Sequence, residues 1–251
     1  MQKLLTAALV GGFAATAFAE TLQVSIGIRE TLIDVPDTIP IGGNGGTTGG
    51  IEWVNLDAQT LTLNNTWQQF SFHIPTATLT AFAGPSANGV LDGLGGVFEH
   101  IRLRNIDGAT DPITLWIDTV QDHFDPAGPP PPQTVVFGSF EGFADDAEVM
   151  FREPRFSGST SGFLMMTPNF SGVDNTVAHD GSASYRTEFQ FIDGTTTNWV
   201  RLTTFNAQNI PNPAIVFAFD STVSFWMKGV PEPSSLSLFG LCAVWLCRRR
   251  R

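Results

Sequence analysis

Short runs in which apolar and polar residues alternate dominate this chain. Leu22, Val24, Ile26 and Ile28 alternate with Gln23, Ser25, Gly27 and Arg29. Phe70, Phe72 and Ile74 alternate with Ser71 and His73, and Ile101 and Leu103 with Arg102 and Arg104. Tyr185, Thr187, Phe189 and Phe191 repeat the pattern, as do Val223, Phe225 and Met227. A period of two places alternate side chains on opposite faces of a strand, so one face of each run is built for burial. Helical periodicity is nearly absent. Turn clusters such as GGNGGTTGG (residues 42–50), GPSANG (residues 84–89) and FIDGTTTN (residues 191–198) separate the runs. Many short strands joined by Gly-rich turns predict an all-β fold, an antiparallel β-sandwich.

One segment interrupts the strands. DPAGPPPPQ (residues 125–133) is no sheet interior, because proline cannot donate to a ladder, and it reads as a stiff extended linker. It divides the body into residues 20–124 and 134–228. Either one sandwich is built from both parts, or each part folds by itself.

With 42% hydrophobic residues the protein has enough apolar side chain for a core. Phe occurs 21 times and Tyr once, which suggests aromatics used mainly as core filler. The formal net charge of −11 becomes more negative when the two ends are set aside, since Lys3 and Arg248–Arg251 lie there. Such a body repels nucleic acid and anionic lipid and attracts cations. Both cysteines, Cys242 and Cys247, lie in the C-terminal run, so no disulfide supports the body.

The N-terminus has the parts of a secretory signal peptide over residues 1–19. Lys3 supplies the positive start, an apolar stretch follows, and Ala17 and Ala19 frame an A-x-A cleavage site before Glu20. This implies a transient signal helix and passage through the secretion machinery. At the other end, residues 234–247 are uncharged. As a helix they span about 21 Å at about 1.5 Å per residue, short of a hydrocarbon core of about 30 Å. Four terminal arginines can snorkel to the far interface and complete a C-terminal transmembrane helix.

Pro231, Glu232 and Pro233, followed by this apolar run and by Arg248, Arg249, Arg250 and Arg251, resemble the PEP-CTERM sorting signal, here residues 229–251. The resemblance implies a bacterial protein exported across the inner membrane, held there transiently by its C-terminal helix and processed by an exosortase. The expected destination is the cell surface or the extracellular matrix.

The body resembles carbohydrate-binding-module-like (galactose-binding-like) jelly rolls. FGSFEGFADDAEV, HDGSASYRTEFQF and STVSFWMKG look like the opening half of such a domain. VSIGIRE, TWQQFSFHIP, GVFEHIRLRN and ITLWIDTV look like its closing half. Here the closing half comes first, which implies a circularly permuted jelly roll. The resemblance also implies a structural calcium, with Glu141 and Asp118 at the matching positions and the loop around Asp180 adding oxygens. The alternative is that these carboxylates are solvated or hydrogen-bonded at strand ends.

Sugar binding calls for rigid aromatic platforms. Trp67, Trp116 and Trp226 sit inside alternating strands and read as core, whereas Trp53 and Trp199 lie beside turns and are the platform candidates. Enzymatic signals are weak. The histidines have no metal-ligand spacing, Glu99-His100 reads as an isolated strand-end pair, and the carboxylates of FADDAEV read as a solvated loop. The function expected is non-enzymatic: an exported, tail-sorted surface or matrix protein associated with exopolysaccharide. The alternative is a dedicated carbohydrate-binding module or a polysaccharide-active enzyme.

Overall fold

A computed structural model describes residues 20–31, 50–84, 87–91, 95–124, 132–204, 216–218 and 220–231. The expected signal peptide (residues 1–19) and C-terminal span (residues 234–247) lie outside them. Among the described residues no helix is long and apolar enough to cross a membrane.

The strands are β1 (Thr21–Thr31), β2 (Ile51–Thr62), β3 (Gln68–His73), β4 (Leu79–Ala83), β5 (Gly95–Asn105) and β6 (Ile113–Phe124). After the proline segment come β7 (Gln133–Gly138), β8 (Phe170–Asp174), β9 (Ser184–Phe189), β10 (Trp199–Thr203), β11 (Val216–Ala218) and β12 (Ser221–Pro231). They form two 6-stranded antiparallel sheets. In the first, the order is β10-β5-β1-β2-β4, with β11 also on β5; in the second it is β3-β12-β6-β9-β8, with β7 also on β6.

Each sheet takes strands from both sides of the proline segment. β5 pairs with β10, β12 pairs with both β3 and β6, and β6 pairs with β9. The body is therefore one sandwich, and separate small sandwiches are excluded. The proline segment is not a link between independent units: it joins β6 to its antiparallel neighbour β7, with Phe124 opposite Gln133. The body also extends past the expected boundary at Lys228, because β12 continues through Gly229 and Val230 to Pro231.

The alternating apolar residues face one another across the two sheets. Leu22, Val24, Ile26, Ile28, Ile101 and Leu103 from the first sheet meet Phe70, Phe72, Ile113, Leu115, Ile117, Val223, Phe225 and Met227 from the second in one fully buried core. Apolar burial at about 25 cal/mol per Å² is the main source of cohesion in such a layer pair. Phe is core filler as expected: Phe72, Phe98, Phe140, Phe151, Phe189 and Phe225 are all buried. Tryptophan is not. Every described Trp is half-exposed, so the expectation that Trp67, Trp116 and Trp226 fill the core is overturned. On β12 the inward positions belong to Phe225 and Met227, and the pleat turns the intervening Trp226 outward.

Candidate functional site

The outer face of the β10-β5-β1-β2-β4 sheet carries a charged and aromatic cluster on what is ordinarily the solvent side. Its foundation is a gap in β1, where Ser25 and Gly27 put almost no side chain on this face. Trp53 of β2 and His100 of β5 lie opposite Gly27 on either side. The His100 ring lies over Gly27 so closely that an added Cβ would come 2.5 Å from Nε2 and closer still to Nδ1 and Cε1.

The β1–β5 register shifts between Gly27 and Ile28, which pair with His100 and Phe98. Glu99 is the extra residue of this β-bulge, and the irregularity lets Glu99 and His100 address the same cluster. His100 Nδ1 hydrogen-bonds the Glu99 carboxylate, which also pairs with Arg201 of β10 and lies 3.7 Å from Arg29 of β1. Trp53 Nε1–H donates to His100 Nε2 at 3.0 Å. One tautomer satisfies both ring nitrogens, with the proton on Nδ1.

Both Glu99 and His100 are fully buried. Burial is the largest influence on His100 and outweighs the neighbouring carboxylate, lowering its pKa to about 4 and leaving the ring neutral at pH 7. Burial would lift Glu99, but His100, Arg201 and Arg29 together outweigh it and hold the carboxyl at about 2. The pair is thus not the strand-end couple that the sequence suggests: it sits in mid-strand on β5 and ties β1, β2 and β10 to it.

An aromatic layer lies around it. Trp53 stacks on Phe82 of β4 with centroids 4.4 Å apart, and Trp199 of β10 meets Trp53 edge-on at 5.5 Å and Phe82 at 5.7 Å. The Arg102 guanidinium lies 5.0 Å from the Trp53 ring centre and 5.2 Å from that of Trp199. Arg102 and Arg104 both pair with Asp57, the latter at 2.8 Å. The structure therefore brings together the two platform candidates, Trp53 and Trp199, although most of the fold separates them in sequence. Trp53 is the third residue of β2, and Trp199 opens β10 just after the turn at residues 196–197. Among the described residues Arg29, Arg102, Arg104 and Arg201 share just Glu99 and Asp57 as anionic partners within hydrogen-bonding or ion-pair reach. Counted over the described residues, this cluster of four arginines and two carboxylates carries net positive charge on an acidic protein. Among the described residues, the Nε atoms of Arg29 and Arg102 are buried without a hydrogen-bond acceptor.

A smaller aromatic group lies on the opposite outer face. Lys228 Nζ lies 5.2 Å from the Trp67 ring centre and 5.0 Å from that of Trp116, and His179 stacks on Trp226 at 3.8 Å. Trp116 Nε1–H donates to Asp174 at 2.8 Å.

Asp118, Glu141 and Asp180, the calcium candidates, converge on the loop of residues 179–183. Asp118 Oδ2 accepts N–H bonds from His179 (2.7 Å) and Asp180 (3.0 Å). Glu141 Oε1 accepts from Ser182 (2.8 Å) and Ala183 (3.0 Å), and Oε2 accepts from the Ser182 hydroxyl at 2.7 Å. The Asp180 carboxylate caps its own turn by accepting from Gly181 N–H. The Ser182 and Ala183 contacts lower the pKa of Glu141, whereas burial raises that of Asp118 against its hydrogen bonds. Calcium needs six to eight hard oxygens. Here two carboxylate oxygens are each filled by paired N–H donors, and among the described residues no three His, Cys, Asp or Glu side chains converge as they would on a metal ion. As arranged, the donor set does not fit calcium; the loop's own N–H groups bind these carboxylates.

With this geometry established, the molecule is an all-β sandwich with a charged aromatic face. The PEP-CTERM protein-sorting motif matches residues 229–251. The protein thus carries an exosortase-directed C-terminal sorting signal, as Pro231, Glu232, Pro233 and the terminal arginines imply, and it is an exported protein. No curated protein and no solved structure matches it.

Proposed function

We propose that this protein works at the cell surface or in the extracellular matrix as a non-enzymatic component that holds exopolysaccharide on the outer face of the β10-β5-β1-β2-β4 sheet. The observation that carries the reading is the meeting of Trp53 and Trp199 at the Arg102 guanidinium, with Phe82 stacked on Trp53. The indoles of Trp53 and Trp199 are part-exposed and rigid, so little side-chain entropy opposes packing of their uncovered parts against the C–H side of a sugar ring. Surplus arginine charge beside them matches an acidic polysaccharide, because guanidinium recognises carboxylate with paired N–H donors.

Binding rather than catalysis is supported by the state of the Glu99–His100 pair. Both ring nitrogens of His100 are engaged, and neither residue is exposed. A group that exchanges protons with substrate needs access to it.

The test is affinity electrophoresis through gels containing uronate-rich or neutral polysaccharide. The expected result is retardation by the uronate-rich polymer that weakens with salt and falls about tenfold or more in Trp199→Ala, a loss of about 1.4 kcal/mol or more. Equal migration in every gel overturns the reading and leaves the face a structural element.

A further inference from the structure

Three tryptophans that the core leaves out gather on the outer face of the β3-β12-β6-β9-β8 sheet. On β12 the outward positions fall to Trp226 and Lys228, and on β6 to Trp116, which is in register with Lys228. Trp67 stands just before β3, the strand beside β12. The Lys228 ammonium lies between the Trp67 and Trp116 rings. His179 meets Trp67 edge-on at 5.6 Å and joins it to Trp226. Trp116 is held in place: Asp174 accepts its Nε1–H and is itself fixed by the Thr176 N–H at 2.8 Å and hydroxyl at 2.6 Å. A ring anchored in this way loses little freedom when a ligand arrives.

Lys228 is the unsatisfied member of this group. Among the described residues its ammonium has no hydrogen-bond acceptor and no carboxylate within ion-pair reach, and burial lowers its pKa against the pull of Asp174. The two indoles attract its charge but offer no oxygen to its three N–H donors. The part-exposed side chain is therefore open to acceptors from outside the protein. The surrounding charge disfavours an anion as their source. Arg186 of β9, in register with Trp116, is matched by Asp146, Asp174 and Glu188 at 2.9, 3.7 and 3.2 Å. Among these groups carboxylates outnumber cations, the reverse of the arginine face on the other sheet. Neutral hydroxyl groups supply acceptors without that repulsion.

We propose that this face is a second glycan site, selective for neutral polysaccharide. Sugar hydroxyls accept from Lys228, and the C–H side of the sugar rings packs on the uncovered parts of Trp67 and Trp116. The two sheets lie about 10 Å apart and their outer faces point in opposite directions, so neither polymer hinders the other. One molecule then bridges an acidic polymer on the arginine face and a neutral one here. The bridge rests on the function proposed above; the neutral site does not.

The experiment runs the full-length protein through affinity gels containing galactomannan, xyloglucan or hydroxyethylcellulose, beside gels containing a uronate-rich polymer. Retardation is expected in at least one neutral gel, unchanged by salt, and about tenfold weaker in Trp67→Ala and in Lys228→Met. Trp67 lies outside the strands, so its truncation is expected to keep the fold, which an unchanged urea midpoint checks. Free migration in every neutral gel overturns the proposal, as does a loss of neutral binding that follows Trp199→Ala in place of Trp67→Ala. The two readings fail separately. Retention by the uronate gel alone removes this site and leaves the first, and retention by neutral gels alone does the reverse. Where both gels retain the protein, uronate-coated beads should capture the retained neutral polymer only when the protein is present. No capture there overturns the bridge.

Discussion

Gly27→Ala tests whether the charged aromatic face depends on the gap in β1. The new methyl would lie 2.5 Å or less from three atoms of the His100 ring, whereas carbon contacts settle at about 3.5–4.0 Å. The ring must therefore move by about 1.5 Å at its nearest atom. That movement takes Nε2 away from Trp53 Nε1, now at 3.0 Å, and past the distance at which a hydrogen bond survives. It also disturbs the contact with Glu99. Overpacking costs about 1–3 kcal/mol, and each buried group left unsatisfied costs about 1–3 kcal/mol. Replacing glycine in a strand returns about 0.5–1 kcal/mol. The expected net loss is about 2–4 kcal/mol, or a fall in Tm of roughly 5–15 °C for a domain of this size. Urea unfolding followed by tryptophan fluorescence gives the value, because Trp53 and Trp199 report on this face. The decisive arm is a double-mutant cycle with His100→Ala, in which the methyl has room and Gly27→Ala becomes neutral or mildly stabilising. An equal loss in both backgrounds, or a loss below about 0.5 kcal/mol in the wild type, would mean that the His100 ring does not depend on the gap at Gly27.

Acid should weaken the fold through His100. Its folded pKa, about 4, lies below the ordinary 6.5, so the unfolded polypeptide takes up the proton first. The stabilisation is complete above pH 6.5 and is lost as pH falls towards 4, by about 3 kcal/mol. His100→Gln should flatten the fall in urea midpoint over that window, and an unchanged pH profile in this variant would count against it. Tyr185 is fully buried with its hydroxyl donating to Phe151 O; Tyr185→Phe should cost about 1–2 kcal/mol by chemical denaturation, and a neutral result would mean the carbonyl finds water. Thermal melts with added calcium and with chelator should coincide, because Asp118 and Glu141 are held by loop N–H groups. A calcium-dependent rise of several degrees would mean that the loop rearranges around the ion.

The alternation of apolar residues exposes much of the architecture, because it reports directly on which strand faces are buried. β1, β3, β5, β9 and β12 all fall on runs visible in the sequence. Strand order is less legible. Whether the parts on either side of the proline segment share a sheet depends on long-range pairing, and no local pattern encodes it. Trp226 is misread for a related reason: between Phe225 and Met227 every residue is apolar, so alternation loses its contrast. Glu99-His100 looks isolated in sequence because its partners, Arg29 and Arg201, come from β1 and β10 and meet it only across the sheet. One signal is available. Gly27 interrupts the strand VSIGI, and a glycine inside a strand often marks the close approach of another group.

The position of β12 has a consequence for timing. The last strand of the body lies between β3 and β6 rather than at an edge, and among the described residues β3 has no other strand partner within its sheet. As the polypeptide emerges N-terminal end first, the sheet carrying the most distal pairings cannot close until the final described residues have crossed. A partly exported body would be left with an open seam and an exposed apolar layer, so it cannot reach its final state too early. Completion of the sandwich therefore waits for the strand that also carries the first residues of the sorting motif.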